Sequence, residues 1–230
     1  MMHSRDLIEQ YKSYVQDWRR YFHTHPELSN EEFETTKTLA KELESMGVEV
    51  HVDEERGTGL IGIIHGAKSG KAIALRADID ALPVQEHNTF EFKSAVDGKM
   101  HACGHDGHMA ILLGAAKMLT SMKDRIEGDV YLAFQPAEET GAGAPDFIKF
   151  GDWFEKIDAI FGGHVWIDLP AGLISVEEGP RMAASSKITI NVKGKQGHGA
   201  QPHQAIDAVV VASAIVMNLQ TVVSRNVSAL

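Results

Sequence analysis

The chain has 230 residues, 43% hydrophobic and 23% charged, a globular balance that excludes disordered, collagenous and low-complexity classes. Thirty-two acidic against 22 basic residues leave a net charge of −10, which argues against a nucleic-acid partner because phosphate binding needs a basic face. One cysteine excludes a disulfide framework and suits a reducing compartment. The longest apolar stretch, 208–217, is about half of the roughly 20 residues a membrane span requires, and the N-terminus has no signal-type apolar run, so a soluble cytoplasmic protein is expected.

In chain order, Leu7, Tyr11, Tyr14, Trp18 and Tyr21 recur at helical steps and predict a first helix that ends near His25-Pro26. Ser29 with Glu32 three residues on has the form of a capping box for a second helix. Phe33, Leu39, Leu43 and Met46 make its buried stripe, and Gly47 its stop. Short strands follow: Val48, Val50 and Val52 alternate, then come apolar runs at 60–64 and 72–75. A helix is expected over 109–122, with strands at 130–134 and 159–163. Strands alternating with helices predict an α/β layered domain around a largely buried sheet. Beyond about residue 180 the texture shifts. Residues 187–192 alternate with period two, a glycine- and histidine-rich turn spans 194–203, and a helix is expected over 205–219 with Asp207 near its start. The expected division is a first domain at 1–182 and the opening of a second at 183–230, too small to bury a core alone.

Four polar clusters stand where strands should end, the place at which open α/β sheets bind ligands. Asp78 and Asp80 follow the apolar run at 72–75 and suit either metal support or a solvated turn. His101, Cys103, His105, Asp106 and His108 fall within eight residues broken by glycines, and thiolate with imidazole is a donor mixture that zinc and similar borderline metals prefer. Glu138 and Glu139 follow the next strand; beside a metal, one carboxylate can coordinate while its neighbour takes a proton from water. His164 follows the last strand and completes a coherent donor set, Cys103, His105, Glu139 and His164. His198, flanked by glycines, either caps a turn or reaches into a shared active site as a hydrogen-bond donor.

Together these stretches resemble the M20 metallopeptidase family, and within it the amidohydrolase branch of aminoacylases, hippurate hydrolases and auxin-conjugate hydrolases. The matching motifs run in order through the whole chain: Phe22-His23-Thr24-His25-Pro26-Glu27-Leu28-Ser29, then 76–83, 101–106, 135–139, His164-Val165 and 194–203. The resemblance implies a zinc-exopeptidase-like three-layer αβα catalytic domain and the start of an inserted α+β lid and dimerisation domain. It implies a divalent metal site of two ions, zinc or manganese with cobalt or nickel tolerated, held by Cys103, His105, Glu139 and His164. Glu138 corresponds to the general base, Asp80 to an orienting aspartate, and His198 to a lid histidine that stabilises the oxyanion, often across a homodimer. Asp78 stands where related branches place a metal-binding histidine, and Ser186 near a position where many relatives have aspartate. The activity implied is hydrolysis of the amide bond in N-acyl amino acids or similar small conjugates. Relatives of nearly 400 residues imply further lid and catalytic segments after residue 230, with weak metal binding and little turnover by the 230-residue chain alone. Two other readings stay open: a dipeptidase, which needs a group for a free α-amine, and a truncated, non-catalytic metal-binding or dimerising remnant.

Overall fold

The computed structural model describes residues 4–180, 182 and 188–226. The chain divides into two compact units, Met1–Leu173 and Ile174–Leu230.

The first unit has an α/β architecture built on a five-stranded mixed sheet, with β1 (Glu49–Val52), β2 (Leu60–His65), β3 (Ile73–Asp78), β4 (Asp129–Gln135) and β5 (Ala159–Gly162) in the order β1-β2-β4-β3-β5. β2 runs antiparallel to β1 and β4, whereas β4, β3 and β5 are parallel. One face carries the larger core, in which Leu60, Ile64, Leu132 and Phe134 of the sheet meet Phe22 of α1 (Ser4–Thr24), Leu39 and Leu43 of α2 (Phe33–Ser45), and Met109 and Leu113 of α3 (His105–Ser121). The other face carries Ile61, Ala74, Tyr131 and Ala133, covered by Phe147 of α4 (Gly143–Phe147) and Trp153 of α5 (Trp153–Lys156). These are the three layers that the family resemblance implies. α4 and α5, at five and four residues, are too short to show periodicity in the sequence.

Several boundaries differ from expectation, each for a physical reason. In the last turn of α1 the buried residue is Phe22, 1% exposed, rather than Tyr21, 41% exposed, because the step from Trp18 to the core is four residues and not three. α2 begins at Phe33 and no capping box forms. The carboxylate of Glu27 accepts the Glu34 and Thr35 N–H groups at 3.2 and 2.7 Å, so the helix start is satisfied without Ser29 or Glu32. Phe33 is exposed, leaving Leu39 and Leu43 as the buried stripe. β3 runs through the polar cluster to Asp78, since Arg76, Ala77 and Asp78 all pair with β4. α3 starts at His105, four residues before its apolar pattern, after Gly104 turns the chain at φ 93°.

In the second unit, α6 (Ala208–Thr221) opens on Asp207, whose Oδ1 accepts the Val209 and Val210 N–H groups. Residues 188–192 form no strand. An alternating pattern becomes a strand only where a neighbour takes up its ladder bonds, and among the described residues of this unit the only bridge is Lys195 with Ile206. Lys187 and Ser186 lie outside the described residues. Among the described residues no helix is long and apolar enough to cross a membrane.

Candidate metal centre

Parallel pairing brings the carboxyl ends of β3, β4 and β5 to one edge of the sheet, with Asp78 opposite Gln135 and Arg76 opposite Gly162. The residues that follow these strands, Asp80, Glu138, Glu139 and His164, therefore collect in one place, and α3 brings its first residue, His105, to the same place.

His105 is 1% exposed. Its Nδ1–H donates to the Asp80 carbonyl at 2.8 Å, which leaves a lone pair on Nε2. That nitrogen has no hydrogen-bond partner. It lies 3.5 Å from Asp78 Oδ2 and 3.8 Å from both Glu138 Oε2 and Glu139 Oε1. Glu139 Oε1 and Asp80 Oδ1 are likewise buried and partnerless. Cys103 Sγ lies 3.4 Å from His164 Nε2, whose other nitrogen donates to the Val165 carbonyl. Both imidazoles thus have Nδ1 engaged by a backbone carbonyl and Nε2 directed at other donors, the arrangement that fixes the tautomer of a ligating histidine. The ligand atoms of Cys103, His105 and His164 lie within 4.8 Å of one another, and so do those of His105, Glu138 and Glu139.

The electrostatics are those of an anion-rich pocket. Burial pushes the Cys103 thiol up to about 12, helped by the negative charges of Glu139, Glu138 and Asp78. Burial opposes charge on His105, but its bond to Asp80 and the charges of Asp78, Asp80 and Glu139 outweigh that and raise its pKa. Such an anion-rich pocket disfavours a thiolate until a cation enters it, at which point the local preference inverts. Buried atoms without partners cost free energy, and a divalent cation among sulfur, nitrogen and oxygen donors would satisfy them. The donor set fits a metal ion.

Two neighbours of the cluster have different work. His108 Nδ1 donates to Asp78 Oδ1 at 2.6 Å, and its Nε2 accepts the Val165 N–H at 3.0 Å, so no lone pair remains for a metal. Asp78 also accepts from Arg76 at 2.7 Å. Burial would raise the Asp78 pKa, yet the His108 bond with the His105 and Arg76 charges holds it down at about 2. Together they steady Val165, the residue after His164. A Cβ at Gly104 would come within 2.4 Å of the Val165 side chain, so glycine permits that approach.

Asp80 Oδ2 accepts both Ser29 Oγ at 2.6 Å and the Glu139 N–H at 3.0 Å. Glu32 Oε1 accepts the Ala137 N–H at 2.8 Å. These two long-range contacts escape a reading of the sequence because Ser29 and Glu32 match a helix cap equally well. His101 is buried with neither nitrogen partnered, and burial pushes its pKa down to about 4. In the second unit, His198 Nδ1 accepts the Ala200 N–H at 3.1 Å, a turn-capping bond.

A family model described as peptidase family M20/M25/M40 matches residues 74–227. An N-acyl-L-amino acid amidohydrolase of Geobacillus stearothermophilus is 42% identical over 224 residues, covering 97% of this chain and 60% of that protein. An N-acetylcysteine deacetylase of Bacillus subtilis is 47% identical over 212 residues, covering 92% and 56%. Among solved structures, a dinuclear metal-binding peptidase of the M20 family from Bacillus subtilis superposes with a TM-score of 0.72 at 45% identity, covering 75% of this chain and 48% of that one. The chain therefore spans about half to three-fifths of the length of these relatives.

Proposed function

Since this chain belongs to peptidase family M20/M25/M40, we propose that it is the metal-binding part of an amidohydrolase that cleaves the amide bond of N-acyl amino acids or similar small conjugates. The observation that carries this reading is the partnerless, buried Nε2 of His105 facing Glu139 Oε1, with Cys103 and His164 alongside.

Cys103, His105, Glu139 and His164 would hold divalent metal, and the chemistry it supplies there is Lewis acidity toward a carbonyl oxygen and toward water. Mixed sulfur, nitrogen and oxygen donors favour zinc, with manganese, cobalt and nickel within range, and the dinuclear relative favours two ions. Glu138, with its side chain 41% exposed, stays reachable by substrate and water. It takes a proton from the attacking water and hands it to the departing amine nitrogen. Asp80 orients the cluster, binding His105 through its carbonyl and the Glu139 backbone through its carboxylate. The Ala200 bond to His198 Nδ1 leaves the hydrogen of a neutral ring on Nε2, the tautomer needed to donate to an oxyanion. The unit Ile174–Leu230, expected at 183–230, would correspond to the start of the dimerisation domain that the family resemblance implies. A cytoplasmic location agrees with a single cysteine kept as a thiol ligand.

Metal content measured beside hydrolysis of N-acetyl, N-benzoyl and indole-acetyl amino acids, extended to dipeptides, tests this reading. Glu138→Ala should keep its metal and lose turnover. Activity that survives this substitution removes Glu138 as the base, and a preference for dipeptides moves the chain to a dipeptidase.

A further inference from the structure

We infer that Ser29 and Glu32, at the entrance to α2, are positioning residues that hold the Glu138–Glu139 turn in register with His105. The inference rests on the hydrolase reading above. The turn is short and costly. It leaves β4 through Pro136, which has no N–H, and Ala137 then adopts φ 54°, a left-handed conformation unfavourable for any residue with a Cβ. Such a conformation persists only where its surroundings over-determine it.

Two fixings from the 29–32 segment do so. Glu32 Oε1 accepts the Ala137 N–H at 2.8 Å, at the residue before Glu138. Ser29 Oγ donates to Asp80 Oδ2, the same oxygen that accepts the Glu139 N–H. The segment is itself anchored beside Asp80, since the Ala81 N–H donates to the Glu27 carbonyl at 2.8 Å and Leu28 bridges Ala81. Neither side chain is needed by the helix it precedes, because Glu27 already takes the Glu34 and Thr35 N–H groups. Glu32 is also fully buried, at 0% exposure, with Oε2 unpartnered. Burying a carboxyl group costs free energy that hydrogen bonding must offset, and Glu32 makes such a bond to the Ala137 N–H. What depends on it here is the backbone that presents Glu138 and Glu139.

The test is chelator-competition affinity for cobalt(II), with kcat and KM on an N-acetyl amino acid, for wild type, Glu32→Ala, Glu32→Gln and Ser29→Ala. Measurements are made at a temperature where circular dichroism reports each as folded. Glu32→Ala should weaken cobalt binding about 10- to 100-fold and lower kcat more than it raises KM, as loss of an outer-shell partner does. Glu32→Gln retains a carbonyl acceptor for Ala137 and should recover most of that loss. Wild-type affinity in a folded Glu32→Ala, or equal damage from Glu32→Gln and Glu32→Ala, overturns the inference. If Glu32→Ala does not fold, Ser29→Ala decides: a weaker cobalt affinity supports the inference and a wild-type affinity overturns it. A wild-type protein that neither binds cobalt nor cleaves any substrate removes the hydrolase reading and this inference together. Variants that bind like a competent wild type remove only the inference.

Discussion

His23 and His105 are both buried, both lie among carboxylates, and differ at a single nitrogen. His23 Nδ1 is 2.8 Å from Asp106 Oδ2 and its Nε2 is 3.1 Å from Glu86 Oε1. Carboxylates only accept, so both ring nitrogens donate and the ring is an imidazolium. The carboxylates are themselves satisfied: Arg19 reaches Asp106 at 2.9 Å, and Asn88 and the Ser94 N–H reach Glu86. That network closes on itself and pins the 86–94 loop to α1. His105 has one nitrogen tied to a carbonyl and the other facing carboxylates without a hydrogen bond. The same residue types thus make a structural brace in one place and a candidate coordination site in another. What separates them is whether the second lone pair is used.

Substitutions break this comparison in decreasing order of effect. His105→Ala should weaken metal binding beyond the roughly 10- to 100-fold of an outer-shell change, measured by chelator competition; near-normal affinity would mean that Nε2 is not a ligand. His23→Ala should leave metal affinity close to wild type in the folded protein yet cost about 3 kcal/mol in urea denaturation, because it removes the cation between two buried carboxylates. A variant that loses metal before it loses stability would merge the two regions. His108→Ala frees the Val165 N–H and the Asp78 carboxylate, at a cost of about 1–3 kcal/mol. Its effect on metal affinity should be smaller than that of His105→Ala, since its Nε2 lone pair is spent on the Val165 N–H. Equal losses from the two would make His108 a ligand.

The smallest effect is in pH. The bond to Asp106 and that to Glu86, against the cost of burial, raise the His23 pKa above its ordinary 6.5. A raised pKa means that the folded state holds the proton more tightly, so the stabilisation is complete below 6.5 and fades as pH rises through the folded value. The stability difference between wild type and His23→Gln should therefore shrink on the alkaline side. A difference that widens there would show that His23 is neutral in the fold.

Much of this molecule was legible in the order of its residues. Cys103, His105, Glu139 and His164 stand beside strand ends or glycines, and a parallel sheet gathers strand ends, so spacing and chemistry sufficed to nominate them. The larger core was legible too, because Leu39, Leu43 and the apolar strands repeat at helix and strand periods. Other assignments failed where two structures satisfy one pattern. Ser29 and Glu32 fit a cap worth about 1 kcal/mol, but they went to partners 51 and 105 residues away while Glu27 took the cap. Tyr21 and Phe22 are adjacent and aromatic, and only packing chose between them. His108 resembles its neighbours in the cluster, and its exclusion came from a backbone N–H 57 residues on.

Residue chemistry and local periodicity by themselves determined the alternating strands and helices, the family likeness and the candidate donors, since these depend on what a side chain is and how often it recurs. Only the tertiary structure decided which lone pairs stayed free and which were consumed, because a hydrogen bond depends on where the partner arrives in space, and chain distance carries no record of that.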